Sequence, residues 1–385
     1  MKALLSFSLC LALLGCASTS NQRNLASVDM DLAAIRPVPT VNELFLYGKF
    51  MADPPHLGIL QEKHKGEELD LSVRRPVVNL HGTVFETKYG KPGYQLYANF
   101  YHDKTFYIVN VPNNGVENYH FQLSYFHYGV GIAEKYVKAA HSLLRFEMAR
   151  PIEIVAKVPS LSEWHALSKL SQSEILSRLP DPIEGKTVKN VAISAEAQWT
   201  KNDPKKQYDI ARGAVSAFIQ IIRFVSIEER FDEFYTAGNP VEQFLMEGPA
   251  ADGNKVFAGA LAASQSDGID HIYDTRRFNC TTRVFDIIEE TLKVKDRRLG
   301  FLRKHLSRGM PALAPTKVAQ FNGKDLVAIP MYSDASLAEE SFNSYKRVVL
   351  SKRRMLCPKN MKYYDQNCPN LKAAVATLRR AGKVK

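Results

Sequence analysis

Between Val77 and Val111 short apolar runs alternate with turn residues. Val77 to Phe85, Tyr94 to Tyr101 and Thr105 to Val111 are rich in β-branched and aromatic side chains. Gly93, Asp103 and Pro112-Asn113-Asn114-Gly115 punctuate them, which predicts strands joined by tight turns. Pro151 to Val158 predicts a further strand. Elsewhere the apolar positions recur at helical spacing: Ala133 to Leu144, and Ile210 to Phe234. Ser160-Leu161-Ser162-Glu163 carries the Ser-x-x-Glu pattern of a helix start, and Pro240 opens a predicted helix near Phe244. Residues 248–268, rich in Gly, Ala and Ser, fit a loop or a small-residue helix. At Phe278-Asn279-Cys280 an extended stretch breaks into a helix that runs on through Asp286 to Leu292.

The N-terminus changes the picture of where this chain works. Met1-Lys2 precedes an apolar run from Ala3 to Leu14, too short for a membrane-spanning helix, which needs about 20 residues. Leu13-Leu14-Gly15-Cys16 resembles the lipobox of bacterial lipoproteins, in which the cysteine is lipidated and becomes the new N-terminus. That resemblance implies a signal peptide over 1–15, a lipid anchor (palmitate among its chains) on Cys16, and, with Ala17 next, an outer-membrane lipoprotein facing the periplasm. A polar tether then spans 16–40, ending at Arg36-Pro37-Val38-Pro39-Thr40. No second long apolar run follows.

Of the five cysteines, Cys10 leaves with the signal and Cys16 carries lipid. Cys357 and Cys368 bracket a short loop, and in an oxidising compartment they read as a local disulfide. Cys280 is left as the unpaired thiol. From Tyr345 to Lys385 twelve basic residues face Asp365 alone, which accounts for the whole formal charge of +11. The anions available to an exported lipoprotein are phospholipid headgroups, lipopolysaccharide and cell-wall polymer, not nucleic acid, so this tail either docks on such a surface or simply keeps the chain soluble.

A cysteine at a helix start sees unpaired N–H groups and the positive end of the helix dipole, and both favour thiolate, the nucleophilic form. It needs a base. Among ten histidines, His81 ends an apolar strand-like run and is followed by Gly82; His102 and His120 are alternatives. Asn99 or His102 would orient the base. Asn279 reads as the helix cap. Tyr119 to Tyr128 is aromatic enough to line a substrate groove, or equally to pack a core. No metal-ligand spacing, serine-hydrolase elbow or dinucleotide loop is present, so no cofactor is expected.

Tyr273-Asp274 … Asn279-Cys280-Thr281-Thr282-Arg283 … Asp286 resembles the signature of the Lnb N-terminal periplasmic domain family. Arg150-Pro151-Ile152-Glu153 leading into Leu161-Ser162-Glu163 resembles that family's arginine strand and following helix start. The resemblance covers roughly residues 75–300. It implies an α+β fold with a permuted papain-like (NlpC-type) core, in which an antiparallel sheet carrying the histidine precedes and packs on the cysteine helix. A catalytic domain over 41–310 and a basic C-terminal region over 311–385 follow from it. The family usually has Gly directly before its histidine; here Leu80 precedes His81 and Gly82 follows. The implied chemistry is acyl transfer from an amide or ester of envelope material through a thioester on Cys280. Arg283, one turn along the same helix, would bind a substrate anion or pair with Asp286 or Asp274. The competing reading is a catalytically silent lipoprotein that binds anionic envelope surfaces.

Overall fold

The computed structural model describes residues 69–125, 140–206 and, with short gaps, 208–293, together with a few single positions further on. In chain order the elements are β1 (Val78–Asn79), α1 (Val84–Tyr89), β2 (Tyr94–His102), β3 (Thr105–Pro112), β4 (Val116–Tyr125), β5 (Ala140–Lys157), α2 (Leu161–Leu167) and α3 (Gln172–Arg178). Then come β6 (Thr187–Gln198), α4 (Ile210–Ala214), β7 (Phe218–Ser226), α5 (Ile227–Ala237), β8 (Val241–Leu245), α6 (Ala250–Ser266), β9 (Ile272–Tyr273), α7 (Cys280–Leu292) and β10 (Ile329–Pro330).

The protein is α+β, with a sheet that curls into a small barrel. β2 pairs with β3, β3 with β5, β5 with β6 and β6 with β7, all antiparallel. A parallel bridge from β7 to β2, Tyr101 opposite Val225, closes the ring. β1, β9 and the β4–β8–β10 arm branch off this ring. The 18-residue β5 makes this possible by serving two neighbours. Its first half pairs with β4 and its second half with β3. Between them, where Pro151 withholds a backbone donor, the ladder to β6 shifts register.

Side chains sort by the two-residue period of the strands. Phe100, Val109, Phe146, Ile154, Val191, Ile193 and Phe224 join one apolar cluster with Phe257, Phe285 and Ile288 of the two long helices. α6 packs on β4 and α7, and α7 lies against β5 and β6. A second cluster, with Phe85 and Trp164 stacked at 5.7 Å, seats α1, α2 and α3. Ser160 and Ser171 cap α2 and α3 with complete capping boxes, as the Ser-x-x-Glu pattern predicts for the first.

Three of the helix predictions are overturned. Ile210 to Phe234 is not one helix but α4, β7 and α5, because Phe218 to Ser226 is buried on both faces and shows no strand alternation to read. Val241–Leu245 is a strand, not a helix. Residues 140–144, placed in a helix by their spacing, open β5 instead. Val77 to Phe85 yields only a two-residue strand and then α1. The small-residue segment is helical, as α6.

Candidate active site

The cysteine helix is built as its residues dictate. Asn279 is extended (φ −112°, ψ −179°), and its side-chain oxygen accepts the N–H groups of Thr281 at 2.9 Å and Thr282 at 3.0 Å. Such a cap stabilises a helix by about 1 kcal/mol. It also leaves Cys280 as the first helical residue, with its own N–H outside the cap. The Tyr273 hydroxyl faces the Cys280 sulfur and favours its ionised form.

The ring that meets the thiol belongs to His141, the second residue of β5, which lies within hydrogen-bonding reach of Sγ. The next residue, Ser142, donates its backbone N–H to Sγ at 3.4 Å, and its hydroxyl lies 3.8 Å away. Burial pushes the thiol up from its ordinary value of 9.0. The charge and hydrogen bond of His141, the Ser142 N–H and the Tyr273 hydroxyl more than offset that and bring it down to about 6. Cys280 is therefore a thiolate at neutral pH although only 3% exposed.

Behind His141 stands Glu196 of β6, with His141 Nε2 4.0 Å from Glu196 Oε1. The carboxylate is ringed by cations: Arg74 Nε at 2.5 Å, Arg230 Nη1 at 2.9 Å and Arg223 Nη1 at 3.7 Å. Ser194 Oγ donates to it at 2.7 Å. Burial alone would raise the Glu196 carboxyl; Arg74, Arg230, Arg223 and His141 hold it well below 4.5. Glu233 neutralises part of the surplus, 2.7 Å from Arg223 and 2.6 Å from Arg230. An acid so held stays ionised and sets a negative charge behind the imidazole.

The residues singled out from sequence divide. Cys280 and its cap are where the sequence puts them. His81 is not beside the thiol: its side chain is 60% exposed in the turn before α1, with Nδ1 2.7 Å from Glu86 Oε1. The polar stretch after β1 turns back over its own helix start, so Glu86 captures the ring locally. His102 is buried, with Nδ1 2.9 Å from Ser226 Oγ and 3.7 Å from Glu228. Asn99, in the left-handed region (φ 70°) at the bulge of β2, donates to Pro76 O at 2.9 Å. The group behind the His141 imidazole is Glu196, and neither Asn99 nor His102 stands there. Tyr119 is buried against Phe146, centroids 6.1 Å apart, so it belongs to the core and not to a groove. Arg283 Nη1 lies 3.8 Å from Glu290 on its own helix. Cys16, Cys357, Cys368 and the basic tail lie outside the described residues. Cys280 is the free cysteine among those described.

His141 and Glu196 escaped sequence reasoning, and the signal for Glu196 was there. It interrupts the run Val191 to Ala197, and a carboxylate in a buried strand must meet a partner. Arg223 within Ile221 to Val225 says the same. Among the described residues no helix is long and apolar enough to cross a membrane, and no three His, Cys, Asp or Glu side chains are grouped to hold a metal ion. No protein family, curated protein or solved structure matches this chain.

Proposed function

We propose that this chain is a cysteine-dependent hydrolase or acyltransferase acting on amide or ester acyl groups, held at the envelope membrane by lipid on Cys16. One observation carries the reading: a capped helix N-terminus presents Cys280 to His141, and Glu196 stands behind the imidazole. The finer assignment, a permuted papain-like enzyme of the Lnb N-terminal periplasmic type, is supported by chain order. The histidine strand β5 precedes the cysteine helix α7, and the two pack together.

In this mechanism the Cys280 thiolate attacks the carbonyl carbon, forming a C–S bond and moving the carbonyl electron pair onto oxygen. The Tyr273 hydroxyl is the donor assigned to that oxyanion, turning to it from the sulfur as the negative charge moves to oxygen; such a donor contributes about 10²- to 10³-fold. The intermediate collapses as the imidazolium of His141 gives its proton to the departing amine or alkoxide, leaving a thioester. His141 then deprotonates water, or an acyl-accepting alcohol or amine, which attacks the thioester and regenerates the thiolate.

The test is acylation of purified protein by activated esters, followed by intact mass. Wild type should gain one acyl group on Cys280 and turn over, whereas Cys280→Ala should do neither. Equal turnover by Cys280→Ala would refute the proposal.

A further inference from the structure

The arginine cluster around Glu196 reaches the surface at one point. Three arginines, Arg74, Arg223 and Arg230, face two carboxylates, Glu196 and Glu233. Arg223 and Arg230 are sealed, their side chains 2% and 5% exposed, whereas Arg74 is 20% exposed. Arg230 and Ser194 donate to Glu196 Oε1, and Arg74 takes Oε2. Arg74 uses Nε for Glu196 and one Nη1 proton for Ala197 O at 3.4 Å. Its Nη2 group has no acceptor among the described residues. The guanidinium lies 4.7 Å over the ring of Trp199, whose buried Nε1–H also finds no acceptor among the described residues. Stacking fixes the plane of the fork, and a fixed fork is suited to taking a carboxylate or phosphate through two parallel N–H bonds.

We propose that Arg74, held on Trp199, is the specificity-determining residue of the site. It binds an anionic group, carboxylate or phosphate, on the acyl donor, a few bonds from the carbonyl that Cys280 attacks. This rests on the thiol chemistry proposed above. The geometry that motivates it is the placement of a part-exposed, ring-stacked cation one carboxylate away from His141. Arg74 enters on the extended segment before β1, bridged to the Trp199 region by Leu69 opposite Thr200. The subsite is thus joined to β6, the strand that carries Glu196, and does not hang on a separate loop.

Matched p-nitrophenyl esters test it: hexanoate, the half-ester of adipic acid, and a six-carbon acyl ester ending in a phosphate monoester. Wild type should favour at least one of the anionic esters over hexanoate by about tenfold or more in kcat/KM, the discrimination a charge-assisted pair supplies. Arg74→Gln should bring the ratio to about one, and Arg74→Lys should keep part of it. The ratio is the readout because any loss from disturbing Glu196 affects all three esters. Hexanoate turnover that needs Cys280, with no preference for either anion in wild type, overturns this inference alone. So does a preference that survives Arg74→Gln. Failure of every ester to acylate Cys280 overturns the thiol chemistry and this inference with it.

Discussion

His141→Gln is the most informative single change, because it should slow the thiol at low pH and speed it at high pH. In the wild type the Cys280 thiol titrates at about 6, against an ordinary 9.0. Burial opposes ionisation, and of the groups that favour it the charge and hydrogen bond of His141 outweigh the Ser142 N–H and the Tyr273 hydroxyl. Removing His141 therefore loses at least half of the lowering and carries the thiol to about 8 or above. At pH 6 the thiolate fraction falls from about one half to about one in a hundred, a loss of about 50-fold. A more basic thiolate is more nucleophilic, by about eightfold over two pKa units at a Brønsted slope near 0.45. The net result is alkylation slower by about sixfold at pH 6 and faster by a similar factor at pH 9, where both thiols are ionised. The assay is the rate of iodoacetamide labelling of Cys280 from pH 5 to 10, with circular dichroism to establish that the variant is folded. General loosening of the site would speed labelling at every pH. Profiles that do not cross, or a midpoint still near 6 in the variant, would refute His141 as the partner of the thiolate.

Three further outcomes follow from the same geometry. Glu196 is depressed in the folded state, so the stability it contributes is present above 4.5 and lost as pH falls through its lowered value. Glu196→Gln leaves three arginines facing only Glu233, should cost about 3–5 kcal/mol in urea melts at pH 7, and should flatten the acid limb of stability against pH; an unchanged acid limb would remove Glu196 from that role. Tyr273→Phe should lower kcat by about 10²-fold with little change in KM, as expected of a donor that follows the charge from sulfur to the oxyanion; a loss confined to KM would count against it. Neutralising Lys352, Arg353 and Arg354 should weaken binding to anionic vesicles at low salt and matter less near 1 M, where the Debye length is about 3 Å; equal binding by wild type and variant would remove the docking role of the tail.

Local features were legible where a residue acts on its own neighbours. The Asn279 cap, the start of α7 and the Ser160 capping box are set within four residues, and the residue types say so. β2 and β3 were legible because turn residues bound them: Asp103 and Lys104 take the left-handed conformation that their hairpin needs (φ 47° and 57°). β7 was not legible. Its nine residues are buried on both faces, so apolar side chains occupy every phase and any period can be read into them.

The proposal of Cys280 as the nucleophile came from composition and local pattern: a thiol expected to be unpaired, at a helix start. Its partner did not. His141 and Cys280 are 139 residues apart, and Glu196 and Arg74 reach the site from two further segments. Their meeting depends on the register of β5 against β6, where Arg145 stands opposite Ala192, and on α7 lying across both strands. His81 had the better local context, yet Glu86 five residues on captures its ring at the surface. Helix caps and turns are decided by hydrogen bonds between near neighbours. The charge on a buried thiol is decided by whichever side chains closure of the sheet brings against it.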